Sequence, residues 1–445
     1  MENVVSKELD YTPLLVAEPE YEYTRLFPQS GTTSTTVYSG GNDTIFEIPP
    51  SKAYNLSRSY FRFIFNLPGV ANKQTMMFAD FCPFFRQIQV YTRGGLDLMN
   101  HTNFHLHAKM VTVRNKPLVE TENTFASFRM TSDQYMIPCL SSKLPNSYAG
   151  AMVYNPNYTG EEAAVPYVEP RYLLAGDGAG GETNVVVTIP FNELYESILC
   201  VDKDIMLNET LLVRFVWSEL ANIAFAADPP AALPDPSPAI QPPPSPNPTT
   251  NPVALPAPAA FNVTNMAIYL AVEKNLAIVN ELQTKIFSPD GFSLMIPYSY
   301  SYQAALTGQN QSVTLRVNRQ NAIYNNNWRN TKLDHFYTNI NNNRLMQYDY
   351  YLNLNDDYMA LRWILKDSSL LTPRIHNRNW CWIEEFGDGT SNFNKDNAIT
   401  GIDLNLGEQK WDFIGFLSEN TNLTHQSTVV CKRKLVITPN GLVLV

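Results

Sequence analysis

The chain has 445 residues, long enough for two compact units, with 42 Asp plus Glu against 32 Lys plus Arg and a net charge of −10. That balance excludes the broad basic footprint of a protein that wraps nucleic acid. Only 17% of residues are charged, while 24 Tyr and 23 Phe suit half-buried strands and polar loops, so an all-β protein is the first expectation.

The N-terminus, "MENVVSKELDYTPLL", carries acidic residues and no apolar core segment, unlike a secretory leader. No run approaches the ~18 apolar residues of a membrane span. Cys82, Cys139, Cys200, Cys381 and Cys431 are scattered without a CxxC pair, which suggests reduced, mostly buried thiols and a reducing compartment. Eight Asn-x-Ser/Thr sites, Asn42 and Asn422 among them, are what chance supplies in a chain this rich in Asn and Thr.

Residues 1–30 mix aromatics and acids without steady periodicity and read as an extended arm whose apolar residues need a neighbour to pack on. From Thr32 the signal is β: "TTVYSGGNDTIFEIPP", "RSYFRFIFNLPG", then "FFRQIQVYTRGGLDLM" as strand, Gly-Gly turn and strand. Residues 146–181 are loop-like, and "TNVVVTIPF" is a strand. In "NELYESILCVDKDI" the spacing of Leu194, Ile198, Val201 and Ile205 predicts a helix with Asn192 at its N-cap. "TLLVRFVWSEL" is a strand that leads directly into the stretch from Asp228 to Ala260, in which 13 of 33 residues are proline. Beyond it, "NVTNMAIYLAVEKNLAIVNEL" resumes β and then turns helical. The rest, "QSVTLRVNRQ", "YDYYLNLN", "YMALRWIL", "TGIDLNL", "QKWDFIGFL" and "TVVCKRKLVITPNGLVLV", is strands and turns, with Pro-Asn-Gly as a hairpin turn. Short strands at ten-residue intervals, occurring in two blocks, predict β-sandwiches or jelly rolls.

The chemical motifs are weak. "HTNFHLH" places His101, His105 and His107 close together, but the cupin metal pattern needs a Glu where Val111 or Thr112 stands and a Gly where Met99 stands, so polar loop or interface histidines are the better reading. "GDGAGG" lacks the Lys-Ser/Thr of a phosphate loop. "GDGTSNFNKDN" offers Asp388, Asn392, Asn394 and Asp396, with Thr390 at the third calcium-ligand position and no Gly after Asn392. "WCWIEEFGDG" puts Glu384 and Glu385 beside Trp380 and Trp382; strand neighbours point to opposite sides and cannot face each other across a sugar. No hydrolase or metalloprotease nucleophile motif occurs. We therefore assign no catalytic, cofactor-binding or metal residue and expect no enzyme.

"VVVTIPF", "NELYESILCVDKDIML", "TLLVRFVW", a long loop and "MAIYLAVEKNLAIVNELQTKIFSPDGFSLMIPY" together resemble the first half of double jelly-roll major capsid proteins of tailless icosahedral DNA viruses. Tyr269 to Glu273 is similar to that family's Tyr-rich strand ending in an acid. "FFRQIQVYTRGGLDLMN" resembles its front hairpin, and "TGIDLNLGEQKWDFIGFL" with "CKRKLVITPNGLVLV" its C-terminal hairpins. The resemblance covers residues 32–445 in element order and points to the eukaryotic-virus side of the lineage. It implies an all-β fold of two jelly-roll β-sandwich barrels with a few short helices and long loops: an arm at 1–30, a first jelly roll at 31–289 and a second at 290–445. It also implies that the Pro-rich loop 228–260 is an excursion within the first barrel rather than a linker, between strands at Thr210–Leu220 and Val263–Glu273.

The function so implied is structural: pseudo-hexagonal homotrimeric capsomers of a viral shell, made and assembled inside the host cell. The expected partners are the chain itself and its neighbouring capsomers, minor capsid and penton proteins, and an internal membrane on the inner face where the virion holds one, with no sequence-specific nucleic acid and no cofactor. The rival reading is a double β-sandwich protein that binds or cleaves glycans, with Trp380 and Trp382 as its platform.

Overall fold

The structure, a computed structural model, describes residues 18–37, 42–67, 74–78, 82–108, 131–132, 138–139, 172–174, 183–227, 260–317, 326–327, 333–351, 381–382 and 409–444, apart from Tyr195 and Met346. The strands of the first half are β1 (Tyr21–Leu26), β2 (Thr35–Val37), β3 (Asp43–Ile48), β4 (Ala53–Leu67), β5 (Gln74–Phe78), β6 (Phe85–Thr92), β7 (Asp97–Thr102), β8 (Thr131–Ser132), β9 (Pro138–Cys139), β10 (Tyr172–Leu174), β11 (Thr183–Pro190), β12 (Asp204–Met206), β13 (Leu211–Trp217), β14 (Ala224–Ala227) and β15 (Phe261–Glu273). Those of the second are β16 (Phe292–Val317), β17 (Asn326–Asn327), β18 (Leu333–Ile340), β19 (Asn343–Arg344), β20 (Tyr350–Tyr351), β21 (Cys381–Trp382), β22 (Gln409–Thr438) and β23 (Gly441–Leu444).

Strand β4, "AYNLSRSYFRFIFNL", shows how sequence becomes sheet. Its alternation sends Phe61, Phe63 and Phe65 wholly inward and leaves Arg58 and Arg62 outside. It anchors a seven-stranded sheet in the order β1-β15-β4-β11-β8, with β12 also on β4 and β2 on β15. Facing it is a four-stranded sheet, β3-β13-β6-β7. Phe61 stacks on Phe215 of β13 at 5.0 Å, and Phe63 meets Trp217 edge-on at 5.1 Å, so these two sheets pack face to face. The buried Trp217 indole donates to Thr44 Oγ1 at 2.9 Å, which removes the cost of hiding its N–H. Among the described residues the first half also holds a third sheet, β14-β5-β10-β9. The expected β6–β7 hairpin is formed, with Gly95 at φ +91° in its turn.

Strand β14 ends at Ala227 against Gln74 of β5, while β15 opens at Phe261 against Val37 of β2 and runs on along β4. The chain thus leaves and re-enters strands whose partners all precede residue 80. The proline-rich residues between them lie outside the described residues. "TLLVRFVWSEL" does not run straight into them: a four-residue helix, α1 (Leu220–Ile223), and β14 intervene.

The helix expected over 192–205 does not form. Two 3-10 turns, Phe191–Glu193 and Ile198–Cys200, are followed by β12. Glu196 sits at φ +58°, which breaks any continuous right-handed helix, and Ser197 bridges the gap by donating to Leu194 O and accepting from Leu199 N. Leu194, Ile198, Val201 and Ile205 are nevertheless all buried, so the helical spacing marked burial rather than helix. The true helix comes later as α2 (Leu276–Ile286), capped by Asn275 Oδ1 on Ala277 N at 3.0 Å and burying Ile278, Leu282 and Ile286.

Among the described residues the second half forms one eight-stranded sheet, in which β16 pairs with β22 from Phe292–Ile437 to Val317–Gln409. At its entrance Gly291 has φ +69°, and a Cβ there would come within 2.7 Å of Ile437 O. The Pro-Asn-Gly turn joins β22 to β23 as expected, with Thr438 opposite Gly441. Phe292, Leu294, Ile296, Leu435 and Ile437 belong to the same apolar cluster as the first-half sandwich.

Candidate functional site: a buried seam and a tyrosine groove

Two regions gather polar and aromatic side chains. The first is the seam where β7 lies against β16 of the second half. Here the three histidines of "HTNFHLH" are buried: His101 lies near the end of β7, and His105 and His107 ride on a helical turn at 104–108. The rings of His101 and His107 stand 4.4 Å apart. His101 Nδ1 is 2.6 Å from Ser299 Oγ on β16, and His107 Nε2 is 2.7 Å from Glu196 Oε2, both of the latter side chains only 1% exposed. Burial, and then the neighbouring His107, hold the His101 imidazole well below its usual range, keeping it neutral.

Further contacts cross the seam. Tyr298 Oη donates to Asp97 Oδ2 at 3.4 Å, Asn103 Nδ2 to Gln303 Oε1 at 3.4 Å, and Asn208 Nδ2 to Thr438 O at 2.7 Å. Lys432 of β22 is buried and its charge acts on Cys200, whose thiol burial pushes up to about 11. Cys82 and Cys431 are also buried and outside any disulfide, and burial raises both thiols, so Cys82, Cys200 and Cys431 are inert. Sequence reasoning found the histidines and missed Glu196, Ser299 and Lys432, which lie about 100 to 330 residues away and carry no local signal.

The second region is on the outward face of the seven-stranded sheet. Tyr23 of β1, Tyr60 of β4 and Tyr269 of β15 form a row, with ring centroids 5.6 Å and then 4.8 Å apart, the second pair stacked. The Arg25 guanidinium lies 4.6 Å over Phe27 and 5.8 Å over Tyr269, and that of Arg58 lies 5.0 Å over Tyr21. Beside the row is an open groove of about 930 Å³ floored by Ser57, Arg58, Tyr60, Arg62 and Thr188. Arg58 Nε binds Asp202 Oδ1 at 3.2 Å. Among the described residues, Arg25 and Arg62 have no carboxylate within ion-pair distance.

"GDGAGG" and "GDGTSNFNKDN" lie outside the described residues, as do Trp380, Glu384 and Glu385; Cys381 and Trp382 form β21 on Asn326–Asn327. Asn42 Nδ2 donates to Thr36 O at 2.6 Å. Among the described residues no group of three or more His, Cys, Asp or Glu is arranged to hold a metal ion, and no helix is long and apolar enough to cross a membrane.

No protein-family model matches the chain, and no curated protein matches it in sequence. Its architecture is nonetheless shared with solved structures along nearly its whole length. The fold is the double jelly roll of viral major capsid proteins. It is similar to the Faustovirus major capsid protein at TM-score 0.53 and 11% identity, covering 96% of this chain and 92% of that one. The PBCV-1 virus capsid subunit gives 0.51 and 9%, covering 98% of both chains, and the Sputnik virophage structure 0.50 and 11%, covering 100% and 92%.

Proposed function

We propose that the chain is the shell-forming subunit of an icosahedral viral capsid, with three copies placing six jelly rolls in a pseudo-hexagonal capsomer. The observation that carries this reading is full-length agreement in fold with capsid proteins at around 10% identity, which leaves architecture as what is shared. The two jelly rolls are divided near residue 290, and the proline-rich excursion belongs to the first. Function resides in surfaces, since a trimer ring needs different complementary faces on each subunit and closes at three.

Residues Tyr21–Leu26 of the expected arm pair with β15 of their own chain, so this part of the arm belongs to the first half's own sheet. Partners in this reading are neighbouring capsomers, minor capsid and penton proteins and, on the inner face, a membrane where the virion holds one. The protein acts in the virion after assembly in the host cell and has no enzymatic role. Size-exclusion chromatography with light scattering tests the core of the proposal. A homotrimer is expected, and a monodisperse monomer across micromolar concentrations would overturn it.

A further inference from the structure

We propose that the seam is a proton-operated joint: when His101 takes up a proton, β7 and β16 part around it while the sheets of both halves stay formed. Three imidazoles are shut into this seam, with His101, His105 and His107 at 0%, 8% and 3% exposed. His101 has the least to answer a charge. Its Nδ1 meets the Ser299 hydroxyl, while its Nε2 has no hydrogen-bond partner among the described residues. No carboxylate among those residues comes within ion-pair distance of its ring.

Titratable groups approach from each element packed around it. Strand β7 itself contributes Asp97, the turn at 104–108 His105 and His107, and the two 3-10 turns with the link between them Glu193, Glu196 and Cys200. Strand β16 contributes Tyr298 and Tyr300, β22 contributes Cys431, Lys432 and Arg433, and β6 places apolar Ile88 opposite. The two carboxylates nearest the seam are already engaged: Glu196 lies 2.7 Å from His107, and Asp97 accepts from Tyr298 and feels the charge of Arg433. An imidazolium at His107 therefore rests on Glu196. One at His101 stands beside the His107 ring, 4.4 Å away, with Lys432 also buried in the seam and no counter-ion of its own.

A buried charge without a partner is costly, and water admitted by opening removes that cost, so the open seam binds the proton more tightly than the closed one. The closed form is then intact above the ~6.5 of an exposed imidazole, and the ratio of open to closed rises by up to about tenfold per pH unit below it. The joint yields here because the hydrogen bonds that close it are long: Tyr298 to Asp97 and Asn103 to Gln303 are both 3.4 Å. Elsewhere the halves share the apolar cluster of Phe292, Leu294, Ile296, Leu435 and Ile437, side chains that do not titrate, so the opening stays local.

Cys200 is placed to report the opening. It ends the 3-10 turn Ile198–Cys200, which packs on β16, and its buried thiol feels the charges of Lys432 and Glu196. Cys82, buried in the apolar cluster on the first half, is the control. The full chain is alkylated with iodoacetamide from pH 7.5 to 5.5, and the rate at each cysteine, read by mass spectrometry, is divided by its rate in urea at the same pH so that the thiolate fraction cancels. The corrected rate at Cys200 should rise by up to about tenfold per pH unit below ~6.5 while that at Cys82 stays flat. In His101→Gln both should stay flat; in Ser299→Ala, which leaves the imidazole in place, the rise at Cys200 should persist. Should His101→Gln not fold, the two cysteines of the native chain still decide. A flat Cys200 in the native chain, a Cys82 that rises in step with it as in global unfolding, or a rise that survives in His101→Gln would each overturn the proposal.

Discussion

Phe61 in the first sandwich and His101 in the seam are both fully buried, yet they hold their surroundings together by different means. Phe61 touches the rings of Phe46, Phe63, Phe85, Phe215 and Trp217, contacts that need only apolar volume in the right alternation. His101 and His107 instead meet Ser299 and Glu196, groups that must arrive in one particular arrangement to be tolerated without water. We expect the sandwich interior to supply most of the stability through apolar burial. The seam supplies registry between the two jelly rolls, at the cost of sensitivity to charge.

If that division is right, Phe61→Ala should be the most damaging single change, costing about 3–5 kcal/mol in chemical denaturation because the surrounding rings cannot collapse into the space. A loss below about 1 kcal/mol would show that the interior is far more plastic than its ring contacts imply. Gly291→Ala attacks the entrance to the second half instead. A left-handed backbone and a carbonyl 2.7 Å from the new Cβ should cost about 2 kcal/mol, seen as a lower denaturation midpoint with native β content retained.

The seam should reveal itself through pH. His101 is held neutral in the fold, with a folded pKa well below the unfolded value of about 6.5, so the unfolded chain binds the extra proton first. Its contribution is therefore intact above pH ~6.5 and is lost as pH falls from there, by up to about 1.4 kcal/mol per pH unit. Asp97 and Asp204 have carboxyls raised by burial, so their effect is full below the usual carboxylate pKa and disappears as pH rises through the folded one, opposite in sign to that of His101. Denaturation midpoints from pH 7.5 to 5.5 should fall for the native chain and flatten in His101→Gln. An unchanged slope in that variant would assign the effect elsewhere.

The sandwich was legible in the sequence because one strand period settles both of its faces. "RSYFRFIF" already sorts Phe61, Phe63 and Phe65 from Arg58, Tyr60 and Arg62. The hairpins at Gly94–Gly95 and Pro439–Gly441 were legible for the same local reason. The seam was not, since nothing near His107 announces Glu196, and Glu196 itself lay inside a stretch whose apolar spacing imitates a helix. Leu194, Ile198, Val201 and Ile205 are buried together by β4 and its neighbours, and tertiary packing reproduced a period of 3.6 without helical backbone. The groove was half legible: the outward Tyr and Arg residues could be named, but the alignment of Tyr23, Tyr60 and Tyr269 across three strands depends on pairing register.

The smallest expected effect asks which of the two regions holds the chain together across the proline-rich segment. Strand β15 lies between β1 and β4, with Phe261, Val263, Ile268 and Leu270 in the core, so the piece after the segment carries a central strand of the piece before it. Replacing the segment by a connection of half its length should change stability by only about 0.6 kcal/mol, the closure entropy of one halving, provided both strand ends stay paired. Proteolytic cutting within it should leave the fragments bound through gel filtration in mild urea, because separating them would pull β15 from the sandwich and not merely open the seam. Separate expression of 1–227 and 261–445 gives the converse: neither should fold alone, the first lacking β15 and the second carrying it with no sheet to join. Two soluble, independently folded fragments would mean that the seam alone joined two finished units, and the contrast between interior and seam would fail at its strongest point.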